Sequence, residues 1–352
     1  MKKYKFTILA NEDPEGHNLW IEACKKHSET VDYRVIELTS SHWLEDLQKD
    51  PFDYLLAKPS GLTMPWKQLY DERLMILGNT LNYAIYPSLE EVLIYENKRY
   101  FSYWLKANKI PHPKTFIFYN KKEAEKFANQ IQFPIVAKLN IGASGNGVQI
   151  LKNKQDIFNY IKQIFSIGKT SHVGPRLDKG HIAKRIFNKI LHPKSLIKRI
   201  NIYKSIAGDV QKGFCLFQEF IKHEYEWRVV RIGDSFFAHK KLLKEEKASG
   251  SLEKSYDNPP LALLTFVKKI TDYFNFNSVA IDVFTDSENT YLINEIQCIF
   301  GQSDEYQMMV NGIPGRYQFK NNKWIFEKGI FNSNQCYDLR VKHLINLLDS
   351  KD

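Results

Sequence analysis

Residues 133–151, Phe133 to Leu151, read FPIVAKLNIGASGNGVQIL: strand, glycine-rich turn, strand. Ile135, Val136 and Ala137 form an apolar run that ends on Lys138, and Val148 to Leu151 resumes the apolar pattern. Between them Gly142, Gly145 and Gly147 fall within six positions. Glycine permits positive φ and close approach of the backbone to a ligand. Successive N–H groups in such a turn make an anion-binding concavity. Lys138, separated from the first glycine by Leu139, Asn140 and Ile141, adds a cation suited to phosphate oxygens. A flexible hairpin with an edge lysine fits the same residues, so the segment alone leaves both readings open. A P-loop is excluded, because no Gly-Lys-Ser/Thr leads into a helix, and so is a dinucleotide fingerprint.

Outward from this stretch, the first ninety-odd residues alternate strand and helix. Strands are expected at Phe6–Ala10, Tyr33–Leu38 and Asp53–Ala57, with helices at Gly16–His27 and Trp43–Lys49. That alternation predicts a parallel, doubly wound α/β sheet. Glu90–Lys109 reads as one helix, stopped by Pro111 and Pro113. An α+β region follows, with strands at Gly213–Ile221, Trp227–Ile232 and Phe236–Leu243, a helix at Leu261–Phe274, and a hairpin of Val279–Thr285 with Thr290–Ile296. The expected division is 1–95, 96–215 and 216–352.

The chain has 352 residues, 43% of them hydrophobic and 26% charged, which suits more than one folded core rather than disorder. No apolar run approaches the ~18 residues of a membrane span. The N-terminal apolar run, Phe6–Ala10, is short for a signal peptide. Cys24, Cys215, Cys298 and Cys336 are far apart, so neither a disulfide framework nor a zinc site is indicated. A cytoplasmic protein is expected. Of the net charge of +10, the segment 166–212 supplies an excess of nine, with eleven basic residues against Asp178 and Asp209. Such a field favours anionic partners, although IAKRIFNKIL within it also has the apolar spacing of a helix with one solvated face.

Five features occur in order: Lys138 with its GASGNG loop, Gln218-Glu-Phe-Ile221, Glu226-Trp-Arg228, Asp282 and Glu295. In this arrangement the chain, from about Lys98 to Gln302, resembles the ATP-grasp superfamily. The type is that of its carboxylate–amine ligases, such as glutathione synthetase, D-alanine–D-alanine ligase and ribosomal-protein glutamate ligases. The resemblance implies an ATP-grasp fold, α/β and α+β, preceded by an N-terminal doubly wound domain. It implies ATP and Mg²⁺ as cofactors.

Carried over by residue, Lys98 and Lys138 resemble the two phosphate-binding lysines. Ser144, Gly145, Asn146, Gly147 and Val148 resemble the lid loop over the phosphates. Gln218, Glu219, Phe220 and Ile221 resemble the hinge that meets adenine, and Glu226 the ribose carboxylate. Arg228 and Lys241 resemble the catalytic cations, Lys241 being taken over its neighbour Lys240. Asp282, Glu295 and Gln297 resemble the metal ligands. Apart from the resemblance, a carboxylate inside VAIDVF or YLINEI is costly unless paired or metal-bound. Oxygen donors of this kind suit Mg²⁺ bridged to phosphate. The chain departs from the family pattern at Gln297, where asparagine is usual, and at Lys240, Lys241 and Lys247, where some members carry arginine.

The implied activity is ATP-dependent amide formation through an acyl phosphate, joining a carboxylate to an amine. The basic segment points to an acidic substrate: a glycan, a nucleotide-linked sugar or a peptide. Two alternatives remain open, a small-molecule kinase on the same fold and a non-catalytic nucleotide- or polyanion-binding protein. Nucleic acid is disfavoured, because no aromatic-rich basic repeat is present. The family resemblance also admits a homodimer.

Overall fold

A computed structural model describes residues 3–13, 15–142, 147–171, 204–244, 247–248, 253–256, 258–302 and 304–351. These form two compact units. One comprises Met1–Ser60, Trp66–Pro113 and Ile221–Asp352; the other comprises Gly61–Pro65 and Lys114–Phe220.

The larger unit opens with β1 (Tyr4–Ala10), β2 (Val31–Glu37), β3 (Tyr54–Ala57) and β4 (Ile85–Tyr86), all parallel in the order β2-β1-β3-β4. Strand order reverses at β1, which is the expected double winding. Ile8, Leu9, Leu55, Leu56 and Ala57 are fully buried, as strands covered on both faces require. The C-terminal helix Tyr337–Asp349 returns to this sheet through Tyr337, Val341 and Leu344, so the last residues of the chain complete its first core.

The expected helix over Glu90–Lys109 is two helices, Leu89–Ile94 and Lys98–Ala107. Glu96 takes φ 48°, outside the helical region, and the Asn97 side chain then accepts the Tyr100 N–H and starts the second helix. Ser88 and Glu91 form a capping box on the first.

The same unit holds a mixed-length antiparallel sheet built on β9 (Tyr225–Ile232), β10 (Ser235–Lys244), β13 (Ser278–Thr285) and β14 (Tyr291–Gln297), in the order β14-β13-β9-β10. The helix Leu261–Tyr273 covers one face through Leu263, Leu264 and Val267. β11 (Lys247–Ala248) and β12 (Lys254–Ser255) pair with β10, and a hairpin of β16 (Ile313–Lys320) and β17 (Lys323–Lys328), with β15 (Met309–Val310) paired to β16, extends the sheet beyond β10.

The smaller unit is an antiparallel sheet, β5 (Thr115–Phe118), β8 (Cys215–Glu219), β6 (Ile135–Lys138) and β7 (Val148–Leu151), in that order across the sheet. Helices Lys121–Ala128 and Lys154–Ile164 bury their apolar stripes against Ile135, Ala137, Leu151, Cys215 and Phe217. No helix among the described residues is long and apolar enough to cross a membrane.

Candidate nucleotide and metal site

In the smaller unit, alternation sends Ile135, Ala137, Cys215 and Phe217 into the core. Val136, Lys138, Leu216 and Gln218 therefore share the opposite face, where Lys138 lies opposite Val148 and Leu216, and Val136 opposite Ile150 and Gln218. This face is apolar apart from Lys138 at one end and Gln218 at the other, a surface suited to a flat ring with an anionic tail. Leu139 N–H donates to Gly147 O at 2.9 Å and closes the base of the glycine turn. Gly147 has φ +81°, and a Cβ there would stand 3.0 Å from Leu139 Cβ, so glycine is required on both counts. Ser144, Gly145 and Asn146 lie outside the described residues.

Gln218 Nε2 reaches Thr115 Oγ1 at 3.4 Å, and Glu219 is tied to Lys114, whose carbonyl accepts its N–H at 2.8 Å. The division between the two units falls between Phe220 and Ile221. Most of the basic segment, residues 172–203, also lies outside the described residues. So do residues 249–252, which follow Lys247 and Ala248.

In the larger unit, Trp227, Val229, Ala238, Ile281, Val283 and Ile296 point into one core. The other face of the same strands carries the charged residues. Arg228 stands opposite Asp282 on one side and His239 on the other, Lys241 opposite Glu226, and Glu295 opposite Asp282. Asp282 accepts from Arg228 Nε at 2.8 Å, from an Arg228 terminal nitrogen at 2.9 Å and from Lys241 Nζ at 2.7 Å. Lys241 Nζ also donates to Glu226 Oε2 at 2.8 Å, and Arg228 reaches Gln297 Oε1 at 3.4 Å.

Glu226, Arg228, Lys241 and Asp282 are each buried. For Arg228, Lys241 and Asp282 burial alone would favour the neutral form, but the opposite charges at contact distance outweigh it. Asp282 is accordingly held well below the usual carboxylate range, and Arg228 and Lys241 are raised. His239 is different. Burial and the neighbouring Arg228 push its pKa down to about 3, so the ring is neutral. Its Nδ1–H must donate to Gln307 O at 2.9 Å, since a carbonyl can only accept.

A bulge between Asp282 and Val283 sets Asp282 opposite Glu295 but Val283 opposite Ile293, so Asn294 is the extra residue. Bulges re-aim side chains. Here Asn294 and Glu295, adjacent in sequence, both serve the polar face, and Asn294 Nδ2 reaches Glu226 Oε1 at 3.4 Å. The Glu295 carboxylate makes no hydrogen bond among the described residues.

Three carboxylates, Glu226, Asp282 and Glu295, face two cations, Arg228 and Lys241, leaving one negative charge. That donor set fits a Mg²⁺ that arrives with nucleotide, because Mg²⁺ takes one or two carboxylates and completes its shell with phosphate and water. It does not make a free-standing metal centre, and no cluster of three His, Cys, Asp or Glu among the described residues does. Lys98 opens its helix with Nζ 3.4 Å from Glu96 Oε2. Lys240 lies on the other pleat, over the Tyr225 and Trp227 rings.

A second polar group, with no motif to mark it, lies at the carboxyl ends of β1 and β3. Ser60 Oγ donates to Glu12 Oε1 at 2.5 Å, and Asn11 Nδ2 donates to Lys58 O at 2.8 Å, latching the two loops together. Burial raises the Glu12 pKa and lowers that of Lys58, whose ammonium makes no hydrogen bond among the described residues. In open parallel sheets this reversal point is where ligands bind.

The family model for the RimK-like ATP-grasp domain matches residues 96–173. No relative among the curated proteins matches the sequence. The fold is similar to that of a RimK-domain ATP-grasp protein from Sphaerobacter thermophilus, at 13% identity and TM-score 0.55, covering 85% of this chain and 93% of the other. D-alanine–D-alanine ligase from Bacillus anthracis is similar at 12% identity and TM-score 0.52, covering 84% and 87%. N5-carboxyaminoimidazole synthetase from Staphylococcus aureus, solved with ADP, is similar at 12% identity and TM-score 0.54, covering 86% and 72%. Residues 96–173 thus match the RimK-like ATP-grasp domain in sequence, and most of the chain's length has the ATP-grasp fold.

Proposed function

We propose that the chain is an ATP-dependent carboxylate–amine ligase acting on an acidic substrate. The observation that carries this reading is the polar face of β9, β10, β13 and β14: preorganised cations beside a carboxylate that makes no hydrogen bond among the described residues, on an ATP-grasp fold. Phosphoryl transfer needs positioning and charge neutralisation more than a covalent protein nucleophile. The residues on this face suit that need.

Lys98, Lys138 and the glycine loop, with Ser144, Gly145, Asn146, Gly147 and Val148, would hold the phosphates of ATP. Gln218 to Ile221 would meet adenine, and Glu226 the ribose. Asp282, Glu295 and Gln297 would hold Mg²⁺, which supplies charge neutralisation when bound. A carboxylate oxygen of the substrate attacks the γ-phosphorus, the bond to ADP breaks, and Arg228 and Lys241 offset the charge on the transferred group. The amine nitrogen of the second substrate then attacks the acyl carbon, phosphate leaves, and the nitrogen loses a proton. Glu12 and Lys58 offer a carboxylate and an ammonium for the ends of those substrates.

The test is ADP release with pairs of carboxylates and amines, followed by identification of the product. Amide with free phosphate supports the ligase; a phosphorylated acceptor would establish a kinase, and ADP binding without turnover a sensor. The acidic-substrate part has its own check. Reversing Lys184, Arg185 and Lys189 to glutamate should raise the acceptor KM and leave the ATP KM nearly unchanged. Salt should raise the wild-type acceptor KM, since exposed charges are screened over about 8–10 Å at 0.1–0.15 M. Indifference to both would make the segment ordinary surface.

A further inference from the structure

Gln211 belongs to no motif and is 1% exposed. Its side chain treats the backbone of residues 140–141 as a partner strand would. Oε1 accepts the Asn140 N–H at 2.8 Å and the Ile141 N–H at 3.1 Å, and Nε2 donates to Ile141 O at 2.9 Å. Asn140 and Ile141 are themselves buried, so these backbone groups have little access to water in place of Gln211. They are also the two residues that join Lys138 and Leu139 to Gly142, where the chain leaves the sheet for the glycine loop.

Gln211 is held in place from both sides. Its own N–H donates to Lys169 O at 2.8 Å, and Lys169 N–H donates back to Gln211 O at 2.9 Å. Two residues on, Gly213 N–H donates to Ile164 O at 3.0 Å, and two residues before, Asp209 Oδ2 accepts Met64 N–H at 3.0 Å. Gly168 makes the approach possible. It has φ +80°, and a Cβ there would fall 2.5 Å from Val210 Cγ1 and 2.9 Å from Gln211 O.

We propose that Gln211 is a positioning residue for the nucleotide phosphates: it fixes the backbone of Asn140 and Ile141, and with it the Gly142 end of the turn whose base closes at Gly147, relative to the Lys138 ammonium. The inference rests on reading Lys138 and the loop as the phosphate grip. A shift of this backbone by a fraction of a hydrogen-bond length would misalign the two halves of that grip, while the apolar face that would receive adenine stays intact.

The test compares full-length wild type with Gln211→Met and Gln211→Glu, using MgADP and adenosine as probes. Methionine keeps the length and removes all three bonds; glutamate keeps an acceptor for the two N–H groups and loses the donor. Calorimetry reads the two affinities, and amide hydrogen exchange reads the protection of Asn140 and Ile141. Gln211→Met is expected to weaken MgADP about tenfold and adenosine less than about twofold, with faster exchange at both amides. Gln211→Glu is expected to fall between, and it carries the test if the methionine variant does not fold. A folded variant with fast exchange and unchanged MgADP affinity overturns the inference, and so does equal weakening of both probes. Wild type that binds MgADP no better than adenosine refutes the phosphate grip itself.

Discussion

Asp282→Asn tests the buried charge network most directly. The carboxylate is 1% exposed and receives three short hydrogen bonds, from both sides of Arg228 and from Lys241. Asparagine preserves the shape but removes the charge and turns one acceptor into a donor. With the amide nitrogen toward Arg228 Nε, one bond is lost and two donors face each other; flipped, two bonds are lost. Either way Arg228 and Lys241 keep only Glu226 and Glu295 as counter-charges. Removing one partner of a buried pair costs about 3–5 kcal/mol. For a unit of this size that lowers Tm by roughly 6–20 °C. Circular dichroism melting at pH 7 measures it, and ADP-forming turnover in Mg²⁺ should be lost in the same variant. Lys241→Met, alone and combined with Asp282→Asn, should show a coupling well above about 0.5 kcal/mol. A variant melting within about 2 °C of wild type would refute the reasoning that this pair is desolvated and mutually required.

Glu295→Gln should also abolish Mg²⁺-dependent turnover, yet shift Tm by less than about 2 °C, because that carboxylate makes no hydrogen bond among the described residues. Gln297→Asn should keep most activity, and a loss as deep as that of Glu295→Gln would show that the strand is wrongly matched to the metal. Lys138→Ala should remove ATP turnover without unfolding, and wild-type turnover in the folded variant would end its phosphate role. His239, held near a pKa of about 3 against ~6.5 unfolded, leaves the unfolded chain binding one more proton between those values. Stability should therefore fall by about 1.4 kcal/mol per unit as pH drops below ~6.5. His239→Gln should remove that slope from denaturant titrations at pH 6 and pH 5, and an unchanged slope would place the proton elsewhere.

Much of this architecture was legible where one physical rule dominated. The parallel strands β1 and β3 are near-continuous apolar runs, and Asp282 and Glu295 stood out as carboxylates inside apolar strands. What stayed hidden is where polar groups do the packing. The helix Met64–Met75 has no apolar stripe to read, because its buried face mixes Tyr70 and Leu74 with Lys67 and Asp71, whose ion pair is completed by Val92 O. Tyr337–Asp349 was likewise obscured by Arg340, fully buried with its Nε on Ser278 Oγ. The β16–β17 hairpin turns on Asn321 and Asn322, both with positive φ, as a tight hairpin turn requires. At the candidate site the residue types were readable and the pairings were not. Register sets Arg228 beside Asp282 and Lys241 beside Glu226, and the Asn294 bulge has no residue-level signature. Gln211 was invisible because its partners are backbone.

The paired hydrogen bonds between Lys169 and Gln211 also bear on how this protein can evolve. Whatever lies between those residues departs and returns at one point of a rigid frame. Added length costs little there, since each doubling of a loop adds only about 0.6 kcal/mol of closure entropy. Changes of length between Thr170 and Gly208 thus leave Lys138 and the turn base at Gly147 in place, provided Asp209 keeps its bond to Met64 N–H. Grafting a stretch of different length between those residues is a direct measure of that tolerance.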